Sequence, residues 1–308
     1  MSKISEVDPF YNEQESLPLF YAEMDKITKV MKDQEFELLF VDDGSKDDTL
    51  NIVKGIAEND ERVKYISFSR NFGKESAIYA GFSKATGDYV VMMDADLQDP
   101  PSLLPEMFKA VTEEGYDSVA TRRVTRKGEP TIRSFCARMF YNIMNKISDA
   151  ELVDGARDYR LMNRKFVDAI LSMGEYDRFT KGMFGWVGFK TKWLEYENIN
   201  RVAGETKWSF FKLFKYALNG IISFSTAPLT FITIMGIILT MLGLGGIIGA
   251  IVCNVLASPV TNMLYLISTI VTVGGFVLFG MGILGKYVSK IHLENKKRPI
   301  YIEKESNF

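Results

Sequence analysis

The stretch Tyr89-Val-Val-Met-Met-Asp94-Ala95-Asp96-Leu97-Gln98-Asp99-Pro100-Pro101 decides how this chain is read. An apolar run of strand type stops at three carboxylates and an amide, and two prolines forbid its continuation. In an open α/β sheet, ligands bind beyond the carboxyl ends of the strands, where chemistry is usually placed. Asp94 and Asp96 are two residues apart, and Gln98 follows at the same interval. Oxygen ligands of this kind suit a hard divalent cation that keeps open positions for substrate phosphates. A solvated turn uses the same residue types. The flanking sequence separates the two readings.

Upstream, three further apolar runs end in polar residues. Residues 3–8 run into Pro9-Phe10-Tyr11-Asn12-Glu13, residues 36–41 into Asp42-Asp43-Gly44-Ser45, and residues 63–68 into Ser69-Arg70-Asn71-Phe72-Gly73-Lys74. Between them the spacing predicts helices over 15–32, over a segment carrying Leu50, Ile52, Val53 and Ile56, and over 77–85, with Ser45 or Asp47 capping the second. Strands alternating with helices at this spacing imply an α/β fold with a parallel, doubly wound sheet, its polar strand ends gathered on one rim. At such a rim Asp42 or Asp43 can accept a hydrogen bond from the imide N–H of uracil or from a ribose hydroxyl. An Asp-Gly turn held by its own side chains accounts for the same pair. Arg70 and Lys74 are suited to phosphates, or are simply solvated.

Downstream, Arg122, Arg123, Arg126 and Lys127 crowd one loop, and Arg133 and Arg138 continue onto a helix predicted to reach about residue 147. Arginine gives fixed, bidentate contacts to phosphate, although a solvated basic face has the same composition. Asp154-Gly-Ala-Arg157-Asp158-Tyr159-Arg160-Leu-Met162 places acids and two arginines just before a helix through Ile170. Residues 178–189 mix aromatics, glycines and positive charge, as either a wall over a site or a packed loop.

The chain has 308 residues, enough for one sizeable α/β domain and a further element. A net charge of −2 gives no argument for nucleic acid as a partner. Cys136 and Cys253 lie far apart, and His292 is the single histidine, which excludes a disulfide framework, a zinc site and Ser-His-Asp or Cys-His catalysis. From Tyr216 to Gly285 there is no Asp, Glu, Lys, Arg or His. Residues 229–253 and 263–284 are each long enough to cross a bilayer, which takes about 20 apolar residues. Lysines and an arginine flank both ends of this tract, so the positive-inside rule puts both ends in the cytoplasm. Residues 1–8 are short and acidic, unlike a secretory signal. The expected organisation is a cytoplasmic domain over 1–208, an interfacial amphipathic helix within 209–226, two transmembrane helices in 227–285 and a cytoplasmic tail over 286–308.

Six motifs in this order carry a resemblance: Pro9-Phe-Tyr-Asn-Glu13, Val41-Asp-Asp-Gly-Ser45, Arg70-Asn-Phe-Gly-Lys74, Asp94-Ala-Asp-Leu-Gln-Asp-Pro100, Gly155-Ala-Arg-Asp-Tyr-Arg-Leu161 and Arg201-Val-Ala-Gly-Glu-Thr-Lys207. Together with the apolar tract they resemble the family 2 glycosyltransferases, and within them the bacterial polyprenyl-phosphate glycosyltransferases, relatives of dolichol-phosphate mannose synthase. The resemblance implies a GT-A fold, a Rossmann-like doubly wound domain followed by a two-helix membrane anchor. It implies inverting transfer of a hexose from a UDP-sugar to undecaprenyl phosphate at the bacterial inner membrane, UDP-glucose ahead of UDP-N-acetylglucosamine. By the same resemblance Pro9, Tyr11, Glu13, Asp42, Asp43, Arg70, Lys74, Asp94, Ala95 and Arg201 bind substrate, and Asp94, Asp96 and Gln98 hold Mg2+ or Mn2+. Arg122, Arg133 and Lys207 meet the donor and acceptor phosphates. Asp158 matches the aspartate usually named as general base, with Arg157 or Arg160 as groups it could instead orient. Gly243, Gly245, Gly246 and Gly249 would let such anchors associate as homo-oligomers. A processive polysaccharide synthase would carry Gln-x-x-Arg-Trp, absent here, and a non-catalytic scaffold would not need Asp94-Ala-Asp96.

One departure from the family's pattern is Ser5-Glu6-Val7-Asp8-Pro9, where the first strand is usually apolar. Glu6 and Asp8 share a face, and burying unpaired carboxylates is costly. The expectation is that they pair with nearby cations or that the strand is shifted or weakened.

Overall fold

A computed structural model describes residues 1–123, 139, 141–142, 144–148, 153–196, 218, 220–256 and 263–308. Strand β1 (Ser2–Phe10) lies at the centre of one eight-stranded sheet, buried from Ile4 onward. It pairs in parallel with β2 (Gln34–Asp42) on one side and β4 (Tyr89–Met92) on the other, and β3 (Val63–Phe68) adds in parallel to β2. The strands are near-continuous runs of buried residues, as a sheet covered on both faces demands.

Helices α1 (Leu17–Val30), α2 (Thr49–Ala57) and α4 (Leu104–Glu113) bury Phe20, Met24, Val53 and Met107 with Ile4, Leu38, Phe40 and Val91 on one face. Helix α3 (Lys74–Lys84) covers the other face, with Ile78 and Phe82 against Val7, Leu39 and Val90. Gly81 lets α3 approach this closely, because a Cβ there would stand 2.2 Å from Val7 Cγ1. The expected doubly wound domain is therefore present, and its first four strands lie within two residues of their expected bounds.

The sheet is mixed rather than wholly parallel. Its order is β7-β5-β6-β4-β1-β2-β3-β8. Strand β6 (Ala156–Asn163) runs antiparallel between β4 and β5 (Ser118–Arg123), and β7 (Thr191–Tyr196) closes that edge. Residues 156–162, read from the sequence as a charged stretch just before a helix, are thus an interior strand. Their charges alternate with Tyr159 and Leu161, which hides the apolar pattern from a sequence reading. Helices α5 (Arg164–Ser172) and α6 (Thr180–Trp186) pack Phe166, Val167, Met183 and Phe184 beside α3, so residues 178–189 form a packed wall.

Strand β8 (Glu303–Ser306) pairs antiparallel with β3 at the other edge, so the expected cytoplasmic tail is partly a strand of the domain. Between the domain and this strand lie two long helices, α7 (Ala227–Leu256) and α8 (Met263–Asn295). Among the described residues, Thr272–Asn295 is long and apolar enough to cross a membrane, and Ala227–Leu239 is a shorter apolar helix.

Glu6 and Asp8 correct the expectation made for them. The β1–β2 register is unbroken from Ser2 to Phe10, so the strand is neither shifted nor weakened. Both side chains are fully buried, and among the described residues none of their carboxyl oxygens has a hydrogen-bond partner. Burial pushes both carboxyls well above the ordinary range, with Asp94 and Glu13 adding repulsion at Asp8. The ladder on both sides and the apolar burial of β1 outweigh a cost of about 1–3 kcal/mol for each unpartnered polar group.

Candidate active site

The site is a cavity of about 260 Å³ at the carboxyl ends of the parallel strands, where a doubly wound sheet places its ligands. Pro9, Phe10, Tyr11, Glu13, Asp43, Asn71, Gly73, Lys74, Asp94, Ala95 and Asp96 line it. Seven of the expected substrate residues and two of the three expected metal ligands are thus together, though they come from four separate stretches of chain.

The two acids at the end of β2 divide their tasks. Asp42 is buried and accepts hydrogen bonds from Ser67 Oγ at 2.7 Å and Ser45 N at 2.8 Å, which fixes the turn. Asp43 faces the cavity and accepts from Phe72 N at 2.6 Å and Gly73 N at 2.9 Å. Gly73 has φ of +99°, a conformation glycine adopts without strain. Desolvation pushes the Asp43 carboxyl up to about 6 against these two donors. Arg70 points its guanidinium over the Phe72 ring, 4.1 Å from the centroid.

Beside Gly73, Lys74 Nζ lies 2.7 and 2.8 Å from the two oxygens of Asp94 and also grips Asp158. Lys181, at the start of α6, lies 3.2 Å from the other Asp158 oxygen. Despite its burial, Asp158 is held well below the usual carboxylate range by the positive charges of Lys181 and Lys74. A carboxylate so held is a poor proton acceptor. It is well placed to fix two ammonium groups side by side. Lys181 escaped the sequence reading because its partner is distant in the chain and one lysine in an aromatic stretch has no pattern.

Three expected residues stand elsewhere. Gln98 is turned to Arg157, whose Nη2 donates to its Oε1 at 3.4 Å, while Arg157 Nε donates to Asp99 at 3.0 Å. Asp99 is nearly fully buried and also accepts from Tyr196 OH, so it anchors the loop after Asp96 from below. The Gln98 side chain thus faces Arg157 and is not among the residues that line the cavity. Arg160 is 4% exposed, donates to Ser118 Oγ at 3.0 Å and sits among the rings of Phe184, Trp193 and Phe166. Burial pulls it down to about 9, and its place is the core, away from the cavity. Arg122 is paired with Glu195 on the neighbouring strand. Arg133, Arg201 and Lys207 lie outside the described residues.

Asp94 and Asp96 fit a divalent ion by donor chemistry: two carboxylates from one tight turn, at a cavity, with a cation already drawn to Asp94. No third His, Cys, Asp or Glu groups with them among the described residues. Remaining positions would fall to water or substrate oxygens, as is usual for Mg2+.

The family model for Glycosyl transferase family 2 matches residues 7–171, more than half of the chain. The chain belongs to glycosyltransferase family 2. Similar relatives cover almost all of it. The protein named "Putative glycosyltransferase CsbB" of Bacillus subtilis (strain 168) is 43% identical over 99% of this chain and 92% of its own. The prophage bactoprenol glucosyl transferase homolog of Escherichia coli (strain K12) is 39% identical over 98% of each chain. The bactoprenol glucosyl transferase of Shigella phage SfII is 39% identical over 99% of this chain and 98% of its own. The carboxyl-end cavity and the parallel β3-β2-β1-β4 core follow the GT-A arrangement that the six motifs imply.

Proposed function

We propose that this glycosyltransferase moves glucose from UDP-glucose to undecaprenyl phosphate with inversion at the anomeric carbon. The observation that carries the reading is an acid-lined cavity, Asp43 with Asp94 and Asp96, whose lining lysine, Lys74, is ion-paired to Asp158, the carboxylate that also holds Lys181. The names of the bactoprenol relatives support the polyprenyl acceptor and the glucose.

Asp43 would accept from the uracil imide, at the wall formed by Tyr11 and Asn71. A divalent ion on Asp94 and Asp96 would supply charge neutralisation for the departing diphosphate. Lys74 and Lys181 would receive the acceptor phosphate. That phosphate has a second pKa of about 6 and is already mostly dianionic at neutral pH, so no strong base is needed. One acceptor oxygen would attack the anomeric carbon on the face opposite the diphosphate. The bond to the acceptor forms as the bond to the diphosphate breaks, which gives inversion.

We place this chemistry on the cytoplasmic face of the bacterial inner membrane, with catalytic residues in 1–208 and an interfacial helix in 209–226. The spans in 227–285 would hold that domain against the bilayer that contains the acceptor's lipid. Phe231, Ile237, Met241, Leu266, Ile270 and Leu278 are all more than half exposed along α7 and α8, a surface that suits lipid.

The test uses purified protein in detergent with undecaprenyl phosphate, Mn2+ and a panel of UDP-sugars, following lipid-linked product beside Asp96→Asn. Glucose transfer by the native protein alone is the expected result. Bound UDP with no transfer from any donor would sink the reading.

A further inference from the structure

We infer that Tyr301, beyond the second long helix, is a positioning residue for the donor-binding loop 69–74. The inference rests on the donor reading above. It is carried by an unbroken file of contacts from the chain's last strand to the cavity.

Helix α8 is first tied to the domain. Tyr287 OH donates to Ser225 O at 2.6 Å, Lys290 lies 2.9 Å from Asp177, and the Glu294 carboxylate accepts from Tyr176 N at 2.9 Å. Lys297, with φ of +46°, then helps to reverse the chain, which returns along the sheet edge as β8. At the site end of this return, Ser69 N donates to Ile302 O at 3.0 Å. The Tyr301 ring stacks on Phe68, 4.7 Å between centroids and 21° between planes. Phe68 meets Phe72 edge to face at 5.8 Å, and the Arg70 guanidinium lies over the Phe72 ring.

Phe72 is where this file touches the site. Its backbone N–H, with that of Gly73, holds the Asp43 carboxylate, and the next residue is Lys74, which grips Asp94 and Asp158. A loop whose one apolar side chain leans on Phe68 is set by whatever fixes Phe68. Stacked and edge-to-face aromatic pairs contribute stability beyond the area they bury. The stack of Tyr301 on Phe68 is therefore strong enough to bias where Asp43 and Lys74 stand. Its distal partners are separate: Glu305 pairs with Lys54 at 2.6 Å, and Asn307 bonds Tyr65 and Val63.

The experiment measures UDP binding in the presence of Mn2+, by calorimetry on the full chain in detergent, with the thermal midpoint of each variant. Tyr301→Ala is expected to weaken UDP binding about three- to tenfold, Tyr301→Phe to restore it within twofold, and Glu305→Gln, at the distal end of β8, to leave it unchanged. In turnover, KM for the UDP-sugar rises in Tyr301→Ala and stays at the native value in Glu305→Gln. Unaltered UDP binding in a folded Tyr301→Ala protein would overturn the inference, as would equal losses in Tyr301→Ala and Glu305→Gln, which would mark general destabilisation. Native protein that fails to bind UDP at all would overturn the donor reading instead.

Discussion

Asp158 illustrates how charge partners set a carboxylate's task. Held below its usual range by Lys181 and Lys74, it is ionised at neutral pH. Asp158→Asn is expected to lower kcat about 10- to 100-fold, the scale of a lost hydrogen bond to a charged group. The ratio to the native enzyme should hold constant from about pH 6 to 9 in a rate–pH profile, where a general base of this kind would not titrate. A deficit that vanishes at high pH would return the base role to Asp158. Lys181→Ala is expected to raise KM for undecaprenyl phosphate about tenfold or more, with KM for the donor within about twofold. Asp43 carries a different signature. Its carboxyl sits at about 6, above its unfolded range, so the ionised form appears only as pH rises through about 6. UDP binding should strengthen across that interval and level off above it, and Asp43→Asn should flatten the curve.

At the scale of elements, β1 shows what a central strand tolerates. Its register with β2 and β4 holds although Glu6 and Asp8 are buried without partners. Both carboxyls are raised in the folded chain, so each destabilises increasingly as pH rises above the unfolded value of about 4 and most above its folded value. Glu6→Leu is expected to stabilise by about 1–3 kcal/mol at neutral pH, a rise of about 2–4 °C in Tm per kcal/mol, and to flatten the fall of stability with pH in denaturant titrations. Strand β6 was hidden for a related reason. Arg157, Asp158 and Arg160 on a strand look like a loop until Asp99, Lys74 and the ring cage around Arg160 supply their partners. Strands β1 to β4 were legible because each is a plain apolar run between turn residues.

The whole molecule joins its two ends through one sheet. Removing the apolar helices in a soluble truncation ending at residue 226 also removes β8, which leaves the β3 edge unpaired and open to other chains. Such a truncation is expected to self-associate on size-exclusion chromatography. Fusing residues 299–308 to it through a flexible linker should restore a monodisperse species.

The doubly wound core, the rim of polar strand ends, the acids that share the cavity and the charge-free tract were all legible before folding, because each is written in local periodicity or composition. That Asp43 and not Asp42 faces the cavity, that Arg160 is caged in the core, that Lys181 joins Asp158 and that the last strand completes the sheet emerges only with the fold. Those outcomes depend on contacts between residues far apart in the chain. Burial and pairing, which set the protonation and the task of a charged group, exist only once the chain has folded.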